Sequence, residues 1–161
     1  SQLVNLKDVI VDSIDRTQIA ADAKQMKVAS DLDENISVVG NYDQLTTAVT
    51  NLIENAIIYS EPSQQIGIAL RLIGDFAEIV VTDSGVGIAL EDQVRIFERF
   101  YRVDPARSRE TGGTGLGLSI VKHVIAKHGG EVSVWSSAGI GSTFAIRLPL
   151  GEDVLVEGEH A

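Results

Sequence analysis

Three short stretches of this chain carry groups that could do chemistry on a phosphate-bearing ligand. In "TNLIENAIIYS", residues 50–60, Asn51 and Asn55 stand four apart, which on a helix places both amides on one face. Leu52, Ile53 and Ala56 point mostly elsewhere and can pack against a sheet. Amides on a half-buried face need partners. They find them either in the helix surface itself or by offering oxygens to a hard cation such as Mg2+, which accepts amide and phosphate oxygens together. In "TDSGVGI", residues 82–88, Asp83 ends an apolar run, with Gly85 and Gly87 after it. Such glycines let backbone approach a planar ligand closely. An ionised carboxylate accepts a hydrogen bond from an exocyclic amine such as that of adenine. The same residues also fit an ordinary turn. In "GGTGLGLSI", residues 112–120, Gly113, Gly115 and Gly117 precede or open a helix, where free amides and the helix dipole favour phosphate. The stretch has neither the lysine of a phosphate loop nor dinucleotide-type glycine spacing. Two glycine turns are explained together if one holds a base and the other phosphates. Arg102, Arg107 and Arg109 lie between them and could contact phosphate or pair with Asp104 and Glu110.

These stretches need elements to hold them. Leu6, Val9, Ile10, Ile14 and Ile19 fit one face of a helix running toward Lys24. Residues 27–32 and 36–40 read as short strands around the polar turn "DEN". Asn41 can cap the next helix, with Gln44 as capping-box partner, and Leu45, Ala48, Val49, Leu52, Ile53 and Ala56 recur at helical spacing until Glu61-Pro62. Residues 66–73 and 76–83 form a hairpin around Gly74-Asp75. A short helix spans 90–100 and a polar surface loop spans 101–113. Residues 116–127 form a helix stopped by Gly129-Gly130, and a second hairpin turns around Gly139–Gly141. Helices and hairpins arranged this way predict a two-layer α/β sandwich with a mixed, mainly antiparallel sheet.

Composition narrows the functions. The chain's 161 residues suit one domain, set here at 1–150, with 151–161 as an acidic, flexible tail. Thirteen basic against 23 acidic residues give a formal charge of -10, which disfavours nucleic acid as a partner. Absence of cysteine excludes thiol nucleophiles and cysteine-based metal sites. No apolar run approaches a membrane span. The abrupt start reads as a domain cut from a longer chain.

Taken in order, "NLIENAIIYS", "DSGVGI", "IFERFYR" and "GGTGLGLSIVKHVIAKHGG", followed by "GSTFAIRLPL", resemble the catalytic ATP-binding domain of bacterial sensor histidine kinases, from about Leu3 to Leu150. Each block is modest alone; the four in this order are specific. The resemblance implies the fold of the histidine kinase ATPase superfamily, known as the Bergerat fold. It implies ATP and Mg2+ as ligands, with Asn55 as principal Mg2+ ligand and catalytic residue and Asn51 assisting. Tyr59 is similar to the residue beside the nucleotide edge, and Asp83 to the aspartate that reads the adenine amine. Gly85, Gly87 and Ile88 shape the turn under the base. Phe97 and Phe100 resemble anchors at the root of a nucleotide lid. Arg102 is similar to a residue that contacts phosphate or the phosphoacceptor helix. Gly113, Thr114, Gly115, Leu116, Gly117 and Leu118 resemble the phosphate side, helped by Arg107 and Arg109, and Thr143 the threonine near the adenine pocket.

The resemblance also implies partners: a phosphoacceptor and dimerisation domain carrying the histidine, and a response regulator downstream. It implies a soluble, cytoplasmic, monomeric fragment of a homodimeric parent held in the cell membrane. Two positions depart from the family. Ile58 stands where a basic residue is usual, and Asn41 where an aspartate is common. His123, His128 and His160 lack the phosphoacceptor context and read as structural or incidental. A hydrolytic ATPase of the same superfamily usually places an acidic residue four positions before the magnesium asparagine; here that position is Asn51.

Overall fold

This computed structural model describes residues 2–99, 101, 117–137 and 139–151. Chain order runs β1 (Gln2–Asn5), α1 (Leu6–Arg16), α2 (Gln18–Ala23), β2 (Lys27–Leu32), β3 (Ser37–Gly40), α3 (Tyr42–Tyr59), β4 (Gln65–Ile73), β5 (Phe76–Asp83), α4 (Leu90–Gln93), α5 (Gly117–Lys127), β6 (Glu131–Ser137) and β7 (Gly141–Pro149). Five strands form one sheet in the order β2-β4-β5-β7-β6, while β1 and β3 pair as a separate antiparallel ribbon. Only β2–β4 is parallel; the other three pairings are antiparallel. The expected mixed, mainly antiparallel α/β architecture is the one observed.

Helix α3 lies between α1 and α5 and also meets β5, and α5 meets β6. Leu45, Leu52 and Ile53 of α3 bury against Ile66, Leu70, Ile79, Ile146 and Leu148 of the sheet's inner face. Period-2 alternation sends Gly67, Ala69 and Arg71 of β4 to the other face.

Three expectations are corrected. The single helix toward Lys24 breaks at Thr17, whose buried hydroxyl donates to the Ser13 and Ile14 carbonyls, both at 3.0 Å. Side-chain bonding to the preceding turn competes with the regular ladder there. Ile19, beyond the break, is 87% exposed and belongs to no buried face. Second, β2 and β3 do not pair across "DEN"; each joins a partner distant in sequence. Third, the helix expected over 90–100 is regular only for Leu90–Gln93 and continues as turns.

The ends of α3 are tightly held. Asn41 Oδ1 accepts the Gln44 N–H at 2.9 Å, as expected of the cap. The Asn41 N–H goes to His128 Nε2 at 3.0 Å, while His128 Nδ1 faces the Val124 carbonyl at 2.7 Å. This pair of contacts specifies a neutral imidazole with its proton on Nδ1, bridging the end of α5 to the start of α3. At the other end Lys24 Nζ donates to the Ile57 and Ser60 carbonyls, both at 2.7 Å, and to Ile58 at 3.3 Å. The last turn of α3 has no basic residue of its own, so α2 supplies the cation that its dipole favours.

Candidate nucleotide site

The site forms where β5 leaves the sheet beside α3. Asp83, the last residue of β5, is only 7% exposed. Its Oδ1 accepts the Gly85 N–H at 2.9 Å and the Ser142 N–H at 3.2 Å. Burial raises its pKa above the ordinary carboxylate range, opposed by those two backbone donors. Among the described residues no cation pairs with it, and the carboxylate is held by these backbone dipoles.

The turn after Asp83 is shaped by contact. A Cβ on Gly85 would stand 2.1 Å from the Tyr59 carbonyl oxygen, so only glycine fits against the end of α3. The Val86 N–H then reaches that same carbonyl at 3.3 Å. Gly87 has φ +75°, in the left-handed region. From the other side, a Cβ on Gly141 would stand 2.2 Å from the Asp83 carbonyl oxygen. The turn is tied down further by Ser136, whose Oγ accepts the Ile88 N–H at 2.6 Å.

Asn51 and Asn55 lie half-buried on one face of α3. Asn51 Nδ2 donates to the Gly117 carbonyl at 3.4 Å, joining α3 to the first turn of α5, and its Oδ1 has no donor among the described residues. Among the described residues the Asn55 side chain has no hydrogen-bond partner. Gly117 is not crowded: a Cβ there would be 3.9 Å from Asn51 atoms, an ordinary contact. Leu118 packs against the core behind it.

The structure brings Asp83, Gly85, Gly87, Ile88 and Tyr59 together at one end of the sheet, and it gathers Asn51, Gly117 and Leu118 where α3 meets α5. Thr143 does not join Asp83. It stands opposite Thr82 and Trp135, while Ser142 stands opposite Asp83. Strand alternation therefore turns Thr143 to the outer face and brings Ser142 inward. The phase was readable from the apolar positions of "STFAIRL": Phe144, Ile146 and Leu148 are buried, and Ser142 shares their phase. Phe97 anchors its segment edge-on against Phe144, ring centroids 6.2 Å apart. Tyr101, unmarked by its sequence context, donates to Asp92 and carries the Arg95 guanidinium 4.5 Å over its ring. Phe100, Arg102, Arg107, Arg109, Gly113, Thr114, Gly115 and Leu116 lie outside the described residues, as does the tail from 152 onward.

Comparison with known proteins gives a consistent picture. The family model described as histidine kinase-, DNA gyrase B-, and HSP90-like ATPase matches residues 40–152. The sensor-like histidine kinase SenX3 of Mycobacterium bovis is 49% identical over 164 aligned positions, covering 99% of this chain and 39% of that protein. The chain thus spans about two fifths of the length of these curated relatives. The solved structure of the mycobacterial sensor histidine kinase MprB aligns with a TM-score of 0.82 at 32% identity, covering 93% of this chain and 97% of that one. Full-length ShkA, solved in complex with AMPPNP, aligns with a TM-score of 0.78 at 25% identity, covering 91% of this chain and 30% of that one.

Proposed function

The chain belongs to the histidine kinase-, DNA gyrase B- and HSP90-like ATPase family, and from that premise we propose that it binds Mg-ATP and donates the γ-phosphoryl group to a histidine on a separate domain of a sensor histidine kinase. The observation that carries this reading is Asp83: a buried carboxylate at a strand end, gripped by backbone donors and, among the described residues, without a counter-cation. Such a group suits the exocyclic amine of adenine, where guanine presents a carbonyl.

The amides of Asn55 and Asn51 fit Mg2+. Among the described residues the Asn55 side chain is uncommitted and Asn51 retains its oxygen, and amide oxygens suit a hard cation shared with phosphate. Among the described residues no three acidic or histidine side chains converge on a cation, so the metal would arrive with the nucleotide. When bound it would neutralise phosphate charge. The chain's own residues orient the nucleotide: Asp83 reads the base, Gly85 and Gly87 lie beneath it, and the start of α5 with the arginines of residues 102–109 meets the phosphates. Arg102 is assigned to the transferring phosphate or the acceptor helix. The incoming imidazole nitrogen forms the P–N bond with its own lone pair as the bond to the β-phosphate oxygen breaks and ADP leaves. No base in this domain is required. Glu54, beside Asn55, is exposed and lies about 100° away round the helix.

A phosphoacceptor and dimerisation domain, a response regulator, and a homodimeric, membrane-held parent with this domain on the cytoplasmic side are proposed on the same ground. No described helix is long and apolar enough to cross a membrane. Residues 1–150 are assigned to the catalytic domain. The chain is still packed just past them: Gly151 is buried, and a Cβ there would stand 2.9 Å from Val39 Cγ2.

Calorimetry with ATP and GTP in Mg2+ tests the ligand, and mixing with a histidine-bearing helical domain tests transfer. ATP should bind more tightly and acid-labile phosphohistidine should form. Asn55→Ala should sharply reduce Mg2+-dependent affinity in a folded protein, and Asn51→Ala should do less. Normal Mg-ATP binding by folded Asn55→Ala would remove the metal assignment. Binding without phosphohistidine would leave a nucleotide-binding module.

A further inference from the structure

Beneath the turn that follows Asp83 lies a small polar network that the proposed chemistry does not use. Ser136 Oγ, on β6, accepts the Ile88 N–H at 2.6 Å. The same hydroxyl can donate to the Gly141 carbonyl or to Ser142 Oγ, both at 2.9 Å. Gln93 Nε2, at the end of α4, donates to the Ile88 carbonyl at 2.8 Å and to the Ser136 carbonyl at 3.2 Å. One peptide unit on each side of Ile88 is therefore held from outside the turn. Higher in the turn, the Gly139 N–H reaches the Val86 carbonyl at 2.7 Å.

The consequence follows from where these contacts end. Ser142, the hydroxyl partner of Ser136, is also the residue whose N–H holds Asp83 Oδ1. The turn and the carboxylate thus share a single support made of β6, β7 and α4. Among the described residues Asp83 has no ion pair to fix it, so its direction depends on backbone donors being in place. The turn touches the end of α3 at Gly85 and the core at Ile88, but its two glycines bring no side chains to supply that order.

We infer that Ser136 and Gln93 are positioning residues that clamp the 84–88 turn and thereby set how Asp83 meets a base. Ser136 is the main one, because it links the turn to the strand that holds the carboxylate. Gln93 is the brace that carries α4 along with the turn. This inference rests on the base-site reading of Asp83, but its first consequence is independent of any nucleotide. Without the Ser136 hydroxyl, the Ile88 N–H loses its acceptor.

The test uses the 161-residue chain and the variants Ser136→Ala, Ser136→Thr, Gln93→Ala and Asp83→Asn. In nucleotide-free protein, amide exchange at Ile88 and Gly85 should quicken at least tenfold in Ser136→Ala, and Thr at 136 should restore it. By calorimetry, Ser136→Ala should bind ATP about tenfold more weakly. It should also lose part of its preference for ATP over GTP; Ser136→Thr keeps both. Gln93→Ala should move the same quantities less. A merely structural serine would lower the melting temperature and leave the ATP-to-GTP ratio unchanged. Unaltered exchange at Ile88 in Ser136→Ala overturns the clamp. Faster exchange with unaltered affinity and preference, while Asp83→Asn abolishes the preference, overturns the positioning role. If Asp83→Asn also keeps its preference, the base-site reading is what fails, and the clamp stands or falls on the exchange result.

Discussion

At one end of the five-stranded sheet the charges answer one another. Arg71 on β4 stands opposite Glu78 on β5, Glu78 opposite Arg147 on β7, and Arg147 opposite Glu131 on β6. Arg147 Nε meets Glu78 Oε2 at 2.9 Å, and Arg71 pairs with Asp31 and, at 3.3 Å, with Asp33. At the other end of the same β5 strand, Asp83 is buried with no cation beside it among the described residues. The first end has settled its electrostatics internally, on a surface where water screens what remains. The second has a carboxylate in a poor environment, held among the described residues by backbone dipoles. The same strand is thus finished at one end and incomplete at the other, which is the signature expected of a binding site.

The largest effect should come from the glycine that lets the incomplete end form. Gly85→Ala would press a methyl against the Tyr59 carbonyl, with 2.1 Å available. The neighbour is backbone at the end of a capped helix, so it cannot swing aside. We expect a loss of about 2–3 kcal/mol of stability, together with loss of ATP binding. Urea unfolding of the free protein checks the first and calorimetry the second. A variant that folds and binds normally would mean that turn and helix end are not locked together.

Asp83→Asn comes next and separates binding from stability. It should weaken ATP binding by about 1.5–3 kcal/mol, the range for hydrogen bonds to charged groups. Its effect on the empty protein should have the opposite sign. Burial raises the Asp83 pKa in the folded state, so the folded form holds the proton more tightly than the unfolded one. That contribution to stability is full below the unfolded carboxylate value and is lost as pH rises through the raised folded value. The wild type therefore bears the cost at neutral pH and the asparagine variant does not. Denaturation midpoints measured from acid to neutral pH should move increasingly in favour of the variant. A wild type that gains on the variant over that range would show that the backbone donors outweigh desolvation.

The sequence exposed the anomaly at Asp83 because a carboxylate closing an apolar strand stands out locally. The framework was legible for the same reason: α3, α5 and the two hairpins are marked by apolar period, by the Gly74 turn and by the Gly129-Gly130 stop. The Gly130 N–H indeed caps α5 at the Ile125 carbonyl, 2.9 Å away. What was hidden is whatever depends on a distant partner. Strand β1 is four residues long and exists through pairing with β3. Strand β2 pairs with β4 across the whole of α3, which nothing in "KVASDL" encodes. Ser136 and Lys24 are ordinary polar residues until the fold sets them against Ile88, 48 positions away, and the end of α3, 33 to 36 positions away, and so is Gln93 until it meets the Ser136 carbonyl, 43 positions away. Thr143 was misplaced by a single residue, and in a strand one residue changes the face.

Gly74, at the finished end, sharpens the contrast with Gly85. It has φ +58° and open space around it, so glycine serves conformation there and not clearance. Gly74→Ala should cost about 1 kcal/mol, the penalty for a left-handed alanine. Gly74→Asn should cost only a few tenths, since asparagine tolerates that region in a hairpin turn. Neither should change ATP affinity. Equal losses for alanine and asparagine in urea unfolding would point to a steric requirement and erase the distinction between the two glycines.

The smallest effect belongs to the paired charges themselves. Arg147→Ala removes the partner of Glu78 and the cross-strand neighbour of Glu131. The Arg147 side chain is 44% exposed, so its attraction is screened and much of the gain is spent on ordering a long side chain. A loss of about 0.2–1 kcal/mol is expected, shrinking as salt is raised. A double-mutant cycle with Glu78→Ala isolates the pair from the lost packing of the arginine stem. ATP affinity is the decisive readout. Arg147 and Asp83 sit at opposite ends of paired strands, β7 and β5, and share no hydrogen-bond partner. The variant should therefore bind ATP within about twofold of wild type, in keeping with the additivity of distant sites. A substantial loss of affinity would mean that the charge ladder sets the register that places Ser142 opposite Asp83, and that the finished end of the sheet helps to build the incomplete one.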